Sequence, residues 1–208
     1  MSKILRIDTS SRSEESHSRQ LGDYFVDRWL EKNPRDIVLL RDLIHSPLEH
    51  IQQETIKGFY TPKSSMSDTL KAATALSDKL IEELQSSDTL LVTVPIYNFS
   101  IPSALKAWID QIVRIGETFS YENGSFSGLL KVKRVFCICS YGASGYLPGG
   151  DFASANFLSP YLNFLFNFLG VETVKFISVE STTADEHTVL RETKKAQVEI
   201  DSLVSTYA

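Results

Sequence analysis

Three short stretches carry the residue types that could do chemistry. The first is VPIYNFSIP at residues 94–102, directly after the apolar run DTLLVTV. Turns are usually built from small, polar residues, so a tyrosine, an asparagine and a phenylalanine gathered behind Pro95 suit another task. Either their rings and the amides of Tyr97, Asn98 and Phe99 meet a flat heterocyclic ligand, or they plug a hydrophobic corner. The second stretch is TSSRSEESHS at residues 9–18, a hydroxyl-rich run that leads into a helix. The free N–H groups at a helix start, with the helix dipole behind them, bind anions, and Ser16 and Ser18 can add donors. The competing reading is that Ser16 only caps its helix. There is no G-x-G-x-x-G and no G-x-x-x-x-G-K-[ST], so a dinucleotide fingerprint and a triphosphate loop are both disfavoured. A single phosphate monoester fits this lysine-free loop better. The third stretch is SYGASGYLPGGD at residues 140–151. Gly142 permits close backbone approach there, and the remainder, rich in Gly and Pro, reads as a mobile rim.

The elements that must position these stretches alternate along the chain. Strands are predicted at KILRIDT (3–9), DIVLLRD (36–42), TLLVTVP (89–95), RVFCICS (134–140) and TVKFISVE (173–180). Helical periodicity links them: Leu21, Tyr24, Phe25 and Trp29 share one face, as do Leu70, Ala73, Leu80, Ile81 and Leu84, and then Leu105, Trp108, Ile109 and Ile112. Gly116 reads as the C-cap of the third helix and Gly170 as that of the fourth, while Thr183 with Glu186 reads as a capping box opening the fifth. Residues 43–66 read as a long connection whose aromatics, Phe59 and Tyr60, form a pocket wall. Strands alternating with helices indicate a doubly wound parallel α/β sheet, here one domain over residues 1–208. Ligands in such folds lie outside the carboxyl ends of the strands, where the strand order reverses. All three chemical stretches follow strand ends.

The chain is 42% hydrophobic and 23% charged with a formal charge of −5, as expected of an ordinary globular domain without a basic stripe. Nucleic acid and anionic membrane are therefore disfavoured as partners. The N-terminus reads as a strand rather than a signal peptide, and no stretch has the length of a membrane span. Cys137 and Cys139 lie two apart on one strand, where a disulfide would be strained, so they read as buried thiols in a reducing, cytoplasmic setting. The four histidines lack ligand spacing, and no metal is expected.

Taken together, the hydroxyl-rich SSRSEESHS, the segment PIYNFSIPSALKAWID, the stretch TFSYENGSFSGLLKVKR and the SYGA loop resemble the FMN-dependent NADH:quinone oxidoreductases of the azoreductase type. The similarity extends from Lys3 to the last helix. It implies a flavodoxin-like sheet of order 2-1-3-4-5, one FMN per subunit and NADH as donor. Quinones and aromatic azo compounds would be acceptors in two-electron, ping-pong turnover, without a catalytic side chain of the protein's own. NADH rather than NADPH is expected, because no Arg-rich pocket for a 2′-phosphate is evident. By the same resemblance Ser10, Ser16, His17 and Ser18 would hold the phosphate and ribityl chain. Pro95, Ile96, Tyr97, Asn98 and Phe99 would lie along the ring system, and Ser140, Tyr141, Gly142 and Ala143 at its pyrimidine edge. The family is homodimeric with active sites at the subunit interface, which would set Tyr121 and Phe168 toward the neighbouring flavin. This chain departs from the relatives' S-R-G-G pattern, reading Ser140-Tyr141-Gly142-Ala143, so a charged contact at that edge is missing. The rim beyond it has no histidine to donate a proton. A flavin or metal-ion reductase and a flavodoxin-like electron carrier are the alternative readings.

Overall fold

The computed structural model describes residues 1–208. Five strands form one parallel sheet: β1 (Lys3–Asp8), β2 (Ile37–Asp42), β3 (Thr89–Pro95), β6 (Arg134–Ser140) and β7 (Thr173–Val179), in the order β2-β1-β3-β6-β7. Counting sheet strands alone, this is the expected 2-1-3-4-5 order, with the reversal between β1 and β3. The three central strands are apolar almost throughout because both their faces are covered. Alternation decides which face each residue serves. Leu90, Val92 and Val94 meet Leu80 and Leu84 of α3 (Asp68–Gln85), Trp108 of α4 (Ser103–Ile112) and Phe166 of α5 (Ser159–Phe168). Leu91, Phe136 and Ile138 meet Phe25 and Trp29 of α1 (His17–Lys32) and Ile200 of α6 (Glu186–Tyr207). No helix is long and apolar enough to cross a membrane.

The structure adds elements that periodicity did not indicate. The 43–66 connection contains a helix, α2 (Gln53–Phe59), too short for an apolar stripe to stand out. Residues 119–128 form an antiparallel hairpin of β4 (Phe119–Glu122) and β5 (Ser125–Gly128) outside the main sheet. Its turn has left-handed backbone at Asn123 and Gly124 (φ 52° and 80°), which is the local signal that marks the hairpin in the sequence.

Two cap assignments change. Thr183 does not open the last helix: Asp185 is the N-cap and accepts the Thr188 amide at 3.0 Å. Nor is Gly116 a helix cap, since α4 ends at Ile112 and Gly116 supplies a left-handed turn beyond it. Gly170 does end α5. At φ 94° it donates to Asn167 while Val171 donates to Phe166, each at 3.0 Å, the paired bonds of a Schellman motif.

The hairpin lies against that same helix end. A Cβ placed on Gly128 would come within 2.1 Å of the Gly170 nitrogen. Backbone cannot yield as a flexible side chain can, so Gly128→Ala should force the hairpin off α5 and lower stability by about 1–3 kcal/mol. Urea denaturation of the variant against wild type measures this; an unchanged midpoint would show that the hairpin is not held by this contact.

Candidate functional site

The carboxyl ends of β1, β3 and β6 come together through backbone and side-chain hydrogen bonds. Parallel pairing sets Asp8 opposite Thr93 and Pro95 opposite Ser140. Beyond the strands the chain continues this pairing: Thr9 donates to the Thr93 carbonyl at 3.2 Å and Ile96 to the Ser140 carbonyl at 2.9 Å. The Ser11 amide donates to the Tyr97 hydroxyl at 3.2 Å, joining the first loop to the aromatic turn.

At the first loop, Ser10, Ser16 and Ser18 are buried and His17 is half-buried. Ser16 does occupy the N-cap of α1, but its side chain makes no capping bond and lies 3.4 Å from the Ser18 hydroxyl. The first-turn amides of α1 therefore have no side-chain acceptor, and the plain capping role expected of Ser16 does not hold. Burial lowers the His17 pKa, with the nearby Arg12 charge adding to the effect, so its imidazole is neutral at neutral pH.

Beneath this loop lies a buried ionic network. The Asp8 carboxylate accepts from Arg6 Nε (2.8 Å), Thr93 Oγ1 (2.8 Å) and Arg19 Nη1 (3.3 Å). Arg19, in the first turn of α1, also binds Asp42 and donates from Nη2 to the Ser10 carbonyl at 2.9 Å. Asp42 is partly buried, which alone would raise its pKa. Donation from Arg19, from His45 and from the His45 and Ile44 amides outweighs this and holds it well below the usual carboxylate range.

The aromatic turn is tight. Tyr97 and Ser100 exchange backbone bonds at 2.9 and 3.1 Å, with left-handed backbone at Asn98 and Phe99 (φ 48° and 71°). The Tyr97 amide is thus bonded to Ser100 rather than directed outward as expected. A left-handed conformation is a true outlier for a bulky residue such as Phe and costs on the order of 1–3 kcal/mol. Phe99 is nonetheless 50% exposed, so it does not plug a corner of the core. Its carbonyl accepts the Phe157 amide at 3.0 Å.

In the third loop Ser140 is buried and Tyr141 wholly so; the Tyr141 ring stacks on Tyr146 at 5.3 Å inside the core. Only the backbone of Tyr141 is therefore available to the site. The Tyr141 and Gly142 carbonyls are taken up by Thr182 and Thr183, which donate from both amide and hydroxyl at 3.0–3.2 Å. The amides of Gly142 and Ala143 bond to no group of the chain, leaving two adjacent donors. Thr182 and Thr183 are positioning residues that the sequence reading missed, because hydroxyl residues just ahead of a helix look like caps.

The rim is tied to its surroundings through Tyr146. Tyr146 donates its amide to Glu180, Asn156 donates to the Tyr146 carbonyl at 3.1 Å, and Phe152 stacks on Tyr146. Tyr121 and Phe168 meet in an aromatic cluster with Phe119 and Phe126, outside the strand-end loops. Phe59 packs under Arg114, beyond the carboxyl end of α4, while the loops adjoin its amino end. Within one chain Phe59 and the exposed Tyr60 therefore stand apart from the site rather than walling it. Burial raises the Cys137 pKa and takes that of Cys139 up to about 12, which keeps both thiols protonated and unreactive.

Residues 2–203 match a family model described as a flavodoxin-like fold. The chain is 45% identical over 175 residues to an FMN-dependent NADH:quinone oxidoreductase of Xanthobacter autotrophicus, covering 84% of each chain. It is 36% identical over 202 residues to a protein of the same name from Hydrogenovibrio crunogenus, covering 95% of this chain and 96% of that one. In fold it is similar to an azoreductase from Bacillus anthracis (TM-score 0.89, 21% identity, 100% of both chains). It is also similar in fold to an FMN-dependent NADH-azoreductase from the same species in complex with FMN (TM-score 0.86, 23% identity, 100% of both chains).

The Asp42 pairing has an acid signature. As pH falls, the unfolded carboxyl takes up a proton near pH 4 while the folded one stays ionised. Its stabilisation is therefore full above about pH 4 and fades below it. The denaturation midpoint of Asp42→Asn should fall less steeply than that of wild type between about pH 4 and about pH 2; parallel slopes would mean that Asp42 gains nothing from these donors taken together.

Proposed function

We infer the function from one premise: the chain belongs to the FMN-dependent NADH:quinone oxidoreductases of flavodoxin-like fold. It is an FMN-dependent enzyme that takes electrons from NADH and delivers them to quinones. Aromatic azo compounds are proposed as further acceptors, on the sequence resemblance to the azoreductase branch. The observation that carries the site assignment is the left-handed, half-exposed Phe99 in a turn whose Tyr97 is bonded to the first loop. Strain of this kind persists where the surroundings enforce it, and it clusters at ligand clamps.

The donor set fits a flavin mononucleotide. The first-turn amides of α1 with Ser10, Ser16, His17 and Ser18 would hold the phosphate end. Pro95, Ile96, Tyr97, Asn98 and Phe99 would orient the ring system. Ser140 and the backbone of Tyr141, Gly142 and Ala143 would meet its polar edge, where two amide donors favour negative charge. The chemistry the flavin supplies when bound is two-electron exchange between NADH and the acceptor. The protein's part is to bind, orient and exclude water, so no side chain is assigned a covalent role. The anchored rim and Phe157 would shield one side of the site.

We take the whole chain as one FMN-binding domain, since both cores rest on the same sheet. Two unpaired thiols suit a cytoplasmic location. A homodimer with one FMN per subunit is proposed, its sites completed across the interface. The rings that would cross it, Tyr121 with its neighbour Phe126, and Phe164 stacked on Phe168, are largely exposed in the single chain, and Phe168, Phe59 and Tyr60 would reach a site only through the second copy. Sedimentation should give twice the 23.4 kDa chain mass; a monomeric mass for the active enzyme would remove these residues from the site.

The direct test of the activity is anaerobic titration of the FMN-loaded protein with NADH, followed by a benzoquinone. The oxidised flavin band should bleach and then return; a band that NADH leaves unchanged and dithionite bleaches would make the protein a carrier or a user of another donor. Gly142→Val probes the site in the same assay. A Cβ there meets only Thr183, at an ordinary 3.5 Å, so the fold should tolerate the change. A branched side chain beside the free amides should weaken FMN binding at least about tenfold, or about 1.4 kcal/mol. Unchanged FMN affinity would remove this loop from the site.

A further inference from the structure

The amino end of α1 is crowded with charge, and nearly all of it is already paired. Arg19 is buried against Asp8 and Asp42, and Arg6 is held by Asp8 and Asp23. Turning either guanidinium toward an incoming anion would break buried bonds to these carboxylates, which is unfavourable. His17, the first residue of the helix, is half-buried, and burial lowers its pKa.

Arg12 is the exception. Its side chain is 58% exposed and its one partner is Glu15, at a long 3.4 Å, itself 85% exposed. A pair of this kind is screened by water and easily exchanged. The position of Arg12 is set by the loop. Its amide donates to the Ser10 hydroxyl at 3.3 Å, and the Ser10 carbonyl is clamped by Arg19. Glu15, left-handed at φ 52°, then turns the chain back onto Ser16 at the helix start. Arg12 thus sits in the loop between Ser10 and the Ser16 N-cap of α1, bonded to the first and paired with the residue before the second. The hydroxyls and amides gathered there supply hydrogen bonds but no net charge, whereas a phosphate monoester brings nearly two negative charges. Arg12 is the exposed, weakly paired cation of this loop, and a guanidinium can meet a phosphate by a charge-assisted and bidentate contact.

We propose that Arg12 is the phosphate-discriminating residue of this site, exchanging Glu15 for the phosphate of FMN and so separating FMN from riboflavin. This rests on the FMN reading above. Its test is binding rather than turnover: full-length protein stripped of flavin is titrated with FMN and with riboflavin, following flavin fluorescence. Arg12→Gln should weaken FMN by about tenfold at low ionic strength. The difference should shrink as salt approaches about 1 M, because an exposed contact is screened. Riboflavin affinity should not change, Arg12→Lys should retain part of the FMN preference, and Glu15→Gln, which frees the guanidinium, should tighten FMN alone. Equal weakening of both flavins by Arg12→Gln would reduce Arg12 to a loop-stabilising role and overturn the proposal. So would FMN affinity unchanged in Arg12→Gln, or no tightening in Glu15→Gln. Wild-type protein that binds neither flavin would overturn the FMN reading itself, and the two failures are thereby told apart.

Discussion

The Asp8 carboxylate, closed off at the end of β1, is the contact on which the arrangement of the strand ends depends. It accepts from Arg6, Thr93 and Arg19. One buried anion therefore joins β1 to β3 and both to the first turn of α1. Arg19 extends the join to β2 through Asp42 and to the first loop through the Ser10 carbonyl. Buried ion pairs are weak sources of net stability, since desolvation offsets much of their attraction. What this one supplies is geometry: its bonds tie the helix start and three strand ends into one arrangement, although Arg19 Nε is left buried without a partner. Gly22 lets it form, because a Cβ there would lie 2.6 Å from Thr93 and 3.1 Å from the Arg6 guanidinium.

From that anchor the site is assembled mainly out of backbone. The helix-start amides and the paired amides of Gly142 and Ala143 are fixed donors that need no reorganisation when negative charge arrives. Their orientation comes from groups one step removed: Arg19 for the Ser10 carbonyl, Tyr97 for the Ser11 amide, Thr182 and Thr183 for the carbonyls of the third loop. The electrostatic work at that loop falls to amides, and the amides are aimed by two threonines.

The aromatic turn shows where local preference yields to tertiary demand. A two-residue reversal with both central residues left-handed ordinarily takes Asn and Gly, and the hairpin turn at Asn123 and Gly124 does so. At residues 98 and 99 the same geometry is met by Asn and Phe. The exchange with Ser100, the Ser11 contact and the Phe157 amide hold Phe99 in a conformation that its own chemistry disfavours. A glycine would relax the turn and give up the ring.

The sequence by itself determined the sheet, its strand ends and the three segments that leave them, because short apolar runs and period-3.6 stripes are written along the chain and parallel topology sets where its loops emerge. It also marked Gly170, whose left-handed backbone is a local requirement. What only the tertiary structure decided was how those segments engage one another. That Tyr141 turns into the core, that Ser16 does not cap and that Phe59 lies under Arg114 are set by the folded surroundings, and Thr183 braces Gly142 and Glu180 and Asn156 pin the rim across 10 to 41 residues of chain. Side chains of one type serve as cap, brace or ligand contact according to what lies opposite them, and no pattern along the chain carries that information.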